Sequence, residues 1–144
     1  MAQISKSALV MFSANEMFDL VNDVVAYPEF LPGCAGSRIL EQTERTMRAS
    51  VNVAKAGITK TFTTENTLVP GERIIMQLVD GPFKHLKGGW TFTPLDDKAC
   101  KVALDLEFEF SSKLVEVAFG RVFNELCHAM VSAFSERAKE VYCV

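Results

Sequence analysis

The sequence predicts an α+β fold in which a curved antiparallel sheet wraps around one long C-terminal helix. Apolar residues alternate with polar ones from about residue 36 to residue 110, and a helical period replaces this alternation after Ser112. Alternation with a period of two indicates antiparallel strands that have one covered and one solvated face. Because no linker or repeat divides the 144 residues, we assign residues 1–144 to a single domain.

The N-terminal part predicts a strand followed by a short helix. Residues 3–12 have the pattern of a strand, and Ser13 and Glu16 have the spacing of a capping box. Helical spacing then places three apolar residues on one face: Met17, Val21 and Val24. Pro28 requires the helix to end by Ala26-Tyr27. Because residues 27–34 contain two prolines, Pro28 and Pro32, we expect one or two turns there, with aromatic side chains exposed at an edge.

The middle of the chain predicts a meander of strands joined by tight turns. The turn signals stand at Gly57, Pro70-Gly71, residues 80–82 and residues 94–97. The clearest alternation covers residues 102–110, where Asp105, Glu107 and Glu109 take the polar positions. Gly88-Gly89 stands directly before Trp90, and glycine inside a strand predicts either a bulge or the close approach of another group.

After Ser112 the chain predicts one amphipathic helix of about thirty residues that covers the sheet. Its apolar stripe comprises Val115, Phe119, Val122, Leu126, Met130 and Ala133. Phe123 and Phe134 are expected at the border of the stripe. Gly120 is expected away from the centre of the stripe, at a position where the helix can bend.

The same apolar residues are consistent with a ligand cavity between sheet and helix. Eleven phenylalanines and six methionines are many for this length, and both side chains suit an adaptable apolar pocket. An ordinary closed core accounts for the pattern as well. Arg137 also has two interpretations, because its stem can pack while its guanidinium reaches water, or it can donate to a ligand oxygen at the cavity mouth.

Composition excludes several classes of function. A net charge of −3 disfavours general nucleic-acid binding, so we expect no DNA partner. No stretch approaches the ~20 apolar residues of a membrane span. Residues 1–6 lack the apolar run of a signal peptide, so we expect a cytoplasmic protein. The cysteines lack C-x-x-C spacing, so we expect reduced thiols and no metal site; they are Cys34, Cys100, Cys127 and Cys143.

Catalytic residues are not expected. His128 lies opposite the apolar stripe, and His85 lies between two lysines near a turn, so both are expected at the surface. The acidic residues of the strand over residues 102–110 take outward positions. The sequence contains no nucleophile elbow, P-loop or dinucleotide-binding fingerprint.

Four segments carry a resemblance to a known family. They are Tyr27-Pro-Glu-Phe-Leu-Pro-Gly-Cys34, Asp80-Gly-Pro-Phe-Lys84, Trp90-Thr-Phe92 and Met130-Val-Ser-Ala-Phe-Ser-Glu-Arg-Ala138. Together they resemble the START-like (SRPBCC) superfamily, in its branch of coenzyme Q-binding proteins and ribosome association toxins. The resemblance covers nearly the whole chain and implies a helix-grip fold of the START/Bet v 1 type. It also implies non-enzymatic binding of ubiquinone or another isoprenoid lipid in an apolar tunnel, in support of respiration.

The resemblance further implies roles for particular residues. The tunnel rim would consist of Tyr27, Phe30 and Leu31, with Arg137 near its mouth. The sheet side would consist of Phe83, Leu86 and Trp90. The helix wall would consist of Phe119, Phe123, Leu126 and Met130. The lipid is a bound ligand in this scheme and no cofactor is implied; transient contact with the surface of the inner membrane is compatible with it.

Two alternatives stay open. A ribosome association toxin would bind the large ribosomal subunit and block subunit joining. Because an acidic protein needs a local basic patch for this purpose, the residues to consider are Lys84, Lys87, Lys98 and Lys101. The same lysines can equally be scattered solubilising residues. START-like folds also house cyclases and hydrolases, so an enzyme is the second alternative.

Overall fold

A seven-stranded antiparallel sheet and a long helix dominate the fold in a computed structural model that describes residues 2–55 and 57–142. The strands are β1 (Ala2–Val10), β2 (Cys34–Gln42), β3 (Thr46–Lys55), β4 (Ile58–Val69), β5 (Arg73–Asp80), β6 (Phe83–Asp96) and β7 (Ala99–Phe110). The helices are α1 (Ala14–Asn22), a 3-10 helix (Val24–Glu29) and α2 (Lys113–Tyr142). The predicted α+β architecture, with a curved antiparallel sheet and a long C-terminal helix, is confirmed.

The strand order explains how the sheet and α2 enclose a common interior. Across the sheet the order is β1-β7-β6-β5-β4-β3-β2, so β1 and β2 form the two edges. Strands β2 to β7 follow one another as hairpins, while α1 and the 3-10 helix connect one edge to the other. Helix α2 then contacts β1, β3, β4 and β7. The apolar face of the sheet is therefore covered by helices.

The N-terminus of α1 has the predicted capping box. The Glu16 N–H donates to Ser13 Oγ at 3.1 Å, and the Ser13 N–H donates to Glu16 Oε1 at 3.0 Å. The predicted exposure of aromatic side chains after α1 is wrong. Tyr27 is buried with its hydroxyl donating to the Val21 carbonyl, and the half-buried Phe30 ring packs edge-on against Phe134. The 3-10 turn directs Tyr27 inward. Burial of the ring there stabilises the fold, and the hydroxyl keeps a hydrogen bond.

The alternation predicted for residues 102–110 is confirmed in β7. The inward side chains are all buried: Val102, Leu104, Leu106, Phe108 and Phe110. The predicted reversal at residues 94–97 is wrong in position, because Pro94 and Asp96 belong to β6 and the turn follows at Asp97-Lys98. The register with β7 shifts between Pro94 and Asp96, and a bulge is one of the few places where a strand accepts proline.

Gly88 and Gly89 mark a close approach between β6 and its two neighbours. Their φ angles are 138° and 152°, a region that favours glycine. A Cβ atom at Gly88 would overlap the carbonyl oxygen of Asp105, and one at Gly89 would overlap that of Ile74. The pairing of both glycines with β5 and β7 is regular. Of the two predicted explanations, close approach is therefore right and the bulge is wrong.

Helix α2 has the predicted extent, but its buried stripe is rotated from the predicted one. Phe123 and Phe134 are 2% and 0% exposed and lie at the centre of the stripe, not at its border. Met130 and Ala133 are only half-buried. Gly120 is buried near the Phe110 ring, and the helix continues through it. The apolar face of α2 is broad enough to fit two neighbouring stripes, and contact with the phenylalanine rings of the sheet selects between them.

Cys34, Cys100 and Cys127 are buried free thiols, and Cys143 lies outside the described residues. Burial raises the pKa of all three described thiols. Within residues 2–55 and 57–142, no group of three potential ligands is arranged to hold a metal ion. No helix in the same part of the chain is both long enough and apolar enough to cross a membrane.

Candidate functional site

An apolar cavity of about 60 Å³ lies between the inner face of the sheet and α2. The 3-10 helix and the loop after it contribute Val24, Tyr27 and Leu31. Helix α2 contributes Phe123, Leu126, Cys127 and Met130. Strands β3 and β4 contribute Ala49, Val51, Phe62, Thr64 and Asn66. Strands β5 to β7 contribute Met76, Leu86, Trp90 and Leu106.

The cavity brings together seven of the eleven side chains that were predicted to line the tunnel. These are Tyr27, Leu31, Leu86, Trp90, Phe123, Leu126 and Met130. They come from the rim segment, the sheet and the helix, as the resemblance implied. The remaining four are Phe30, Phe83, Phe119 and Arg137, which lie outside the cavity wall.

Phe83 and Phe119 belong to a group of six rings that fills the interior beside the cavity. This phenylalanine cluster consists of Phe62, Phe83, Phe108, Phe110, Phe119 and Phe123. The centroids of Phe83 and Phe123 are 4.9 Å apart, and those of Phe108 and Phe123 are 5.0 Å apart. Edge-to-face rings at such distances pack without leaving space for a ligand. Only Phe62 and Phe123 of the cluster reach the cavity wall.

Arg137 is engaged at the end of α2 near the rim. Its guanidinium donates to Glu29 Oε1 at 3.1 Å and forms an ion pair with Glu140 at 3.6 Å. Its Cζ atom lies 5.0 Å from the centroid of the Phe30 ring. The side chain is 21% exposed and joins α2 to the 3-10 helix, so its charge is compensated by protein carboxylates.

The four lysines of the predicted basic patch lie in two pairs along the β6–β7 hairpin. Lys84 and Lys87 form ion pairs with Glu109 at 3.8 Å and Glu107 at 3.6 Å. Lys98 lies in the hairpin turn, and Lys101 follows it. Lys101 is in register with Thr93, six residues beyond Lys87, so the pairs are roughly 20 Å apart. The four residues therefore do not form one continuous patch.

The interior of the cavity carries no formal charge. Among the described residues of its wall, the titratable side chains are Tyr27 and Cys127. Burial raises the pKa of Cys127 to about 12. Burial, and to a lesser extent Cys34 and Asp23, also raises the pKa of Tyr27. Both groups are neutral at physiological pH, so the wall favours neutral, apolar molecules.

Nine residues of the wall were not predicted from the sequence, and Thr64 and Asn66 are the most informative of them. The others are Val24, Ala49, Val51, Phe62, Met76, Leu106 and Cys127. Thr64 and Asn66 are 6% and 7% exposed, and Thr64 Oγ1 donates to Asn66 Oδ1 at 2.9 Å. The sequence did contain a signal for them, because Thr64 and Asn66 occupy every second position between Phe62 and Leu68 and so share the inner face of β4. The signal is weak because the residues of the opposite face, such as Thr63 and Glu65, are polar as well.

A curved antiparallel sheet that encloses a long helix and an uncharged apolar cavity defines the START-like class of proteins. Within that class, the chain belongs to the family described as polyketide cyclase/dehydrase and lipid transport, whose model matches residues 10–135, and to the branch that contains ribosome association toxins and coenzyme Q-binding proteins.

Two relatives illustrate this membership, and one solved structure illustrates the fold. The chain is 68% identical over 142 residues to "Ribosome association toxin RatA" of Vibrio cholerae serotype O1, covering 99% of both chains. It is 31% identical over 144 residues to "Coenzyme Q-binding protein COQ10 homolog B, mitochondrial" of Xenopus laevis, covering 97% of this chain and 59% of the relative. The Zhui aromatase/cyclase of Streptomyces sp. R1128 superimposes with a TM-score of 0.84 at 19% identity, covering 96% and 93% of the two chains, which shows the shared fold.

Proposed function

We propose that this protein associates with the large ribosomal subunit and blocks subunit joining. The observation that carries the proposal is the 68% identity, over 99% of both chains, to a protein named ribosome association toxin. This similarity is far greater than the 31% identity to the coenzyme Q-binding relative. The comparison therefore favours the ribosome over ubiquinone as the primary partner, and this role belongs in the cytoplasm.

The tip of the β6–β7 hairpin is the part of the predicted basic surface that is best suited to RNA. Lys98 and Lys101 form no ion pair with the described part of the chain, whereas Lys84 and Lys87 are paired with glutamates. Contacts to RNA phosphates come largely from lysine and arginine, so unpaired lysines are the better candidates. We assign the ribosome-facing role to Lys98 and Lys101.

Cosedimentation with purified ribosomal subunits tests this assignment. We expect the protein to sediment with the large subunit at about 50 mM salt and to dissociate as the salt approaches about 200 mM. The double variant Lys98→Glu/Lys101→Glu should lose binding. The matched double variant Lys84→Glu/Lys87→Glu changes the same number of charges and should retain most of it. If the wild-type protein sediments with neither subunit at either salt concentration, the ribosomal function is wrong.

A second function, the binding of a hydrophobic ligand, is favoured by the cavity. We propose that the cavity binds ubiquinone or another neutral isoprenoid lipid and that it does so without catalysis. Its wall is almost entirely apolar, and its titratable groups, Tyr27 and Cys127, have pKa values raised by burial. Ligand sites usually enclose about 300–1,000 Å³, so the cavity of about 60 Å³ has to widen on binding. Flexible Met76 and Met130 on the wall make such widening feasible.

Native mass spectrometry combined with organic extraction tests the ligand-binding function. We expect a lipid adduct on the purified protein, or uptake of ubiquinone added to it. The extract identifies the lipid, which separates a quinone from other isoprenoids. A protein that is purified empty and takes up no added quinone would contradict this second function and leave the ribosomal one intact.

A further inference from the structure

Two adjacent polar side chains interrupt the apolar wall of the cavity. Thr64 and Asn66 lie on the inner face of β4, between the inward residues Phe62 and Leu68. Both are more than nine-tenths buried and both line the cavity. Their mutual hydrogen bond of 2.9 Å uses one of the two polar atoms of the Asn66 amide.

The second polar atom of the Asn66 amide has no hydrogen-bond partner within the described part of the chain. Asn66 is not among the described residues that have a fully buried polar atom without a partner, so this amide atom is accessible from the cavity that Asn66 lines. An accessible polar group on an apolar wall favours a ligand that can pair with it. The other hydroxyl on the wall, that of Tyr27, is already used by the Val21 carbonyl. The Trp90 indole N–H and the Cys127 thiol also lie on the wall, but the indole can only donate and the thiol is a weak hydrogen-bonding group. The Thr64–Asn66 pair is therefore the one place on the described wall where strong donor and acceptor atoms lie side by side.

We propose that the Thr64–Asn66 pair binds an oxygen atom of the ligand and thereby determines which hydrophobic molecules the cavity selects. This inference rests on the ligand-binding function proposed above. The pair supplies a hydrogen bond on a wall whose other side chains are mostly apolar. A ligand that carries a carbonyl or hydroxyl oxygen gains that bond, whereas a hydrocarbon leaves the amide unpaired.

The chemistry of threonine lets the pair accept either oxidation state of a quinone. When the Thr64 hydroxyl donates to the amide oxygen, the amide NH₂ is free to donate to a quinone carbonyl. When the amide is turned over, the hydroxyl accepts from the NH₂ and the amide oxygen accepts from a quinol hydroxyl. The pair thus selects for an oxygen substituent without selecting for oxidised or reduced ligand.

The same site disfavours acidic lipids. Among the described residues that line the cavity there is no lysine, arginine or histidine to pair with a carboxylate. A charged carboxylate would have to be buried against a neutral wall, which is strongly unfavourable. The ligand class is therefore a neutral lipid with at least one oxygen on its buried end.

Trp90 provides a direct measurement of occupancy, because it is the single tryptophan of the chain and lines the cavity. Quenching of its fluorescence by a dimethoxybenzoquinone with a decyl tail gives the quinone affinity. Competition of decylbenzene against that quinone gives the affinity of a matched ligand without oxygen. We expect Asn66→Leu to weaken quinone binding about tenfold and to leave decylbenzene binding unchanged or tighter.

Thr64→Val and Thr61→Val complete the design. Thr64→Val keeps the side-chain shape and should weaken quinone binding by a smaller factor, because the amide remains. Thr61→Val removes a similar hydrogen bond on the outer face of the sheet, where Thr61 Oγ1 donates to Asn52 Oδ1 at 2.6 Å. This control should leave both affinities unchanged.

Each outcome decides between the inference and the function on which it rests. Unchanged quinone affinity in both Asn66→Leu and Thr64→Val would overturn the inference while the binding function stands. Equal weakening of quinone and decylbenzene would also overturn it, since that result indicates a change of shape only. A wild-type protein that binds neither ligand would overturn the ligand-binding function itself. If Asn66→Leu does not fold, Thr64→Val measured against Thr61→Val decides alone.

Discussion

Two neighbouring regions of the interior use aromatic residues in opposite ways. In the phenylalanine cluster, six rings fill the space between the sheet and the first half of α2. In the cavity, smaller or more flexible side chains such as Ala49, Val51 and Met76 leave space. Only two of the eleven phenylalanines, Phe62 and Phe123, line the cavity, and both do so from the border of the cluster.

A high phenylalanine content therefore does not by itself indicate a cavity. Large rings meeting edge to face fill volume efficiently, so the cluster supplies stability. The cavity arises where strands β3 and β4 present alanine, valine and a polar pair to α2. The abundance of phenylalanine in the sequence thus reflects the filled region more than the open one.

The largest effect is expected at the glycine pair in β6. Gly88 pairs with Met76 and Leu106, two residues of the cavity wall. Gly89→Ala would force a Cβ atom into the carbonyl oxygen of Ile74, so the strands would have to separate. We expect the free energy of unfolding to fall by more than about 5 kcal/mol, or no folded protein at all.

Gly33→Ala is the matched control for this substitution. Gly33 also has a positive φ angle, 83°, but a Cβ atom there meets no atom within 4 Å. We expect a loss of about 1–2 kcal/mol in urea denaturation, which is the cost of the backbone conformation alone. Equal losses in the two variants would show that close approach does not explain Gly89.

Truncating one side chain in each region should show that the phenylalanine cluster is packed more tightly than the cavity wall. Phe83 is 6% exposed and contacts all five other rings of the cluster, so Phe83→Ala should lower the free energy of unfolding by about 3–5 kcal/mol. Met76 already borders empty space, so Met76→Ala should cost about 2 kcal/mol or less. Urea denaturation of both variants measures the difference. A larger loss for Met76→Ala would mean that the cavity region is packed as tightly as the cluster.

The sequence predicted the backbone of this fold better than the site within it. Strict alternation in residues 102–110 and the Ser13–Glu16 capping box are local patterns, and both are confirmed. The buried face of α2 was mispredicted because contact with the sheet, not local periodicity, selects between two apolar stripes. Pro94 was mispredicted because a bulge in β6 accommodates it. These outcomes depend on tertiary contacts that no single segment encodes.

A third substitution fills the cavity from the sheet side. Ala49 is 4% exposed and lines the cavity, so the larger side chain of Ala49→Leu would occupy the space. We expect quinone affinity, measured by quenching of Trp90 fluorescence, to fall at least tenfold. Stability should change by less than about 1.5 kcal/mol, because the added atoms enter existing space. Retained affinity would place the ligand elsewhere on the protein.

The smallest expected effect is a change in the pH dependence of stability, and it shows whether the cavity is dry. Cys127 lines the cavity, and burial raises its pKa to about 12 from an ordinary value of 9.0. The unfolded chain therefore loses this thiol proton near pH 9 while the folded protein holds it. The contribution of the thiol to stability is fully present below about pH 9 and is lost as the pH rises toward 12.

Cys127→Val removes this titration and nearly preserves the side-chain volume. We expect the free energy of unfolding to fall less steeply between about pH 9 and pH 11 in Cys127→Val than in the wild-type protein, as measured by urea denaturation. A residual slope should remain, because burial also raises the pKa values of Cys34, Cys100 and Tyr27. Identical slopes would mean that water reaches the Cys127 thiol. In that case the cavity would already be hydrated, and a ligand would gain affinity by displacing that water from an apolar wall.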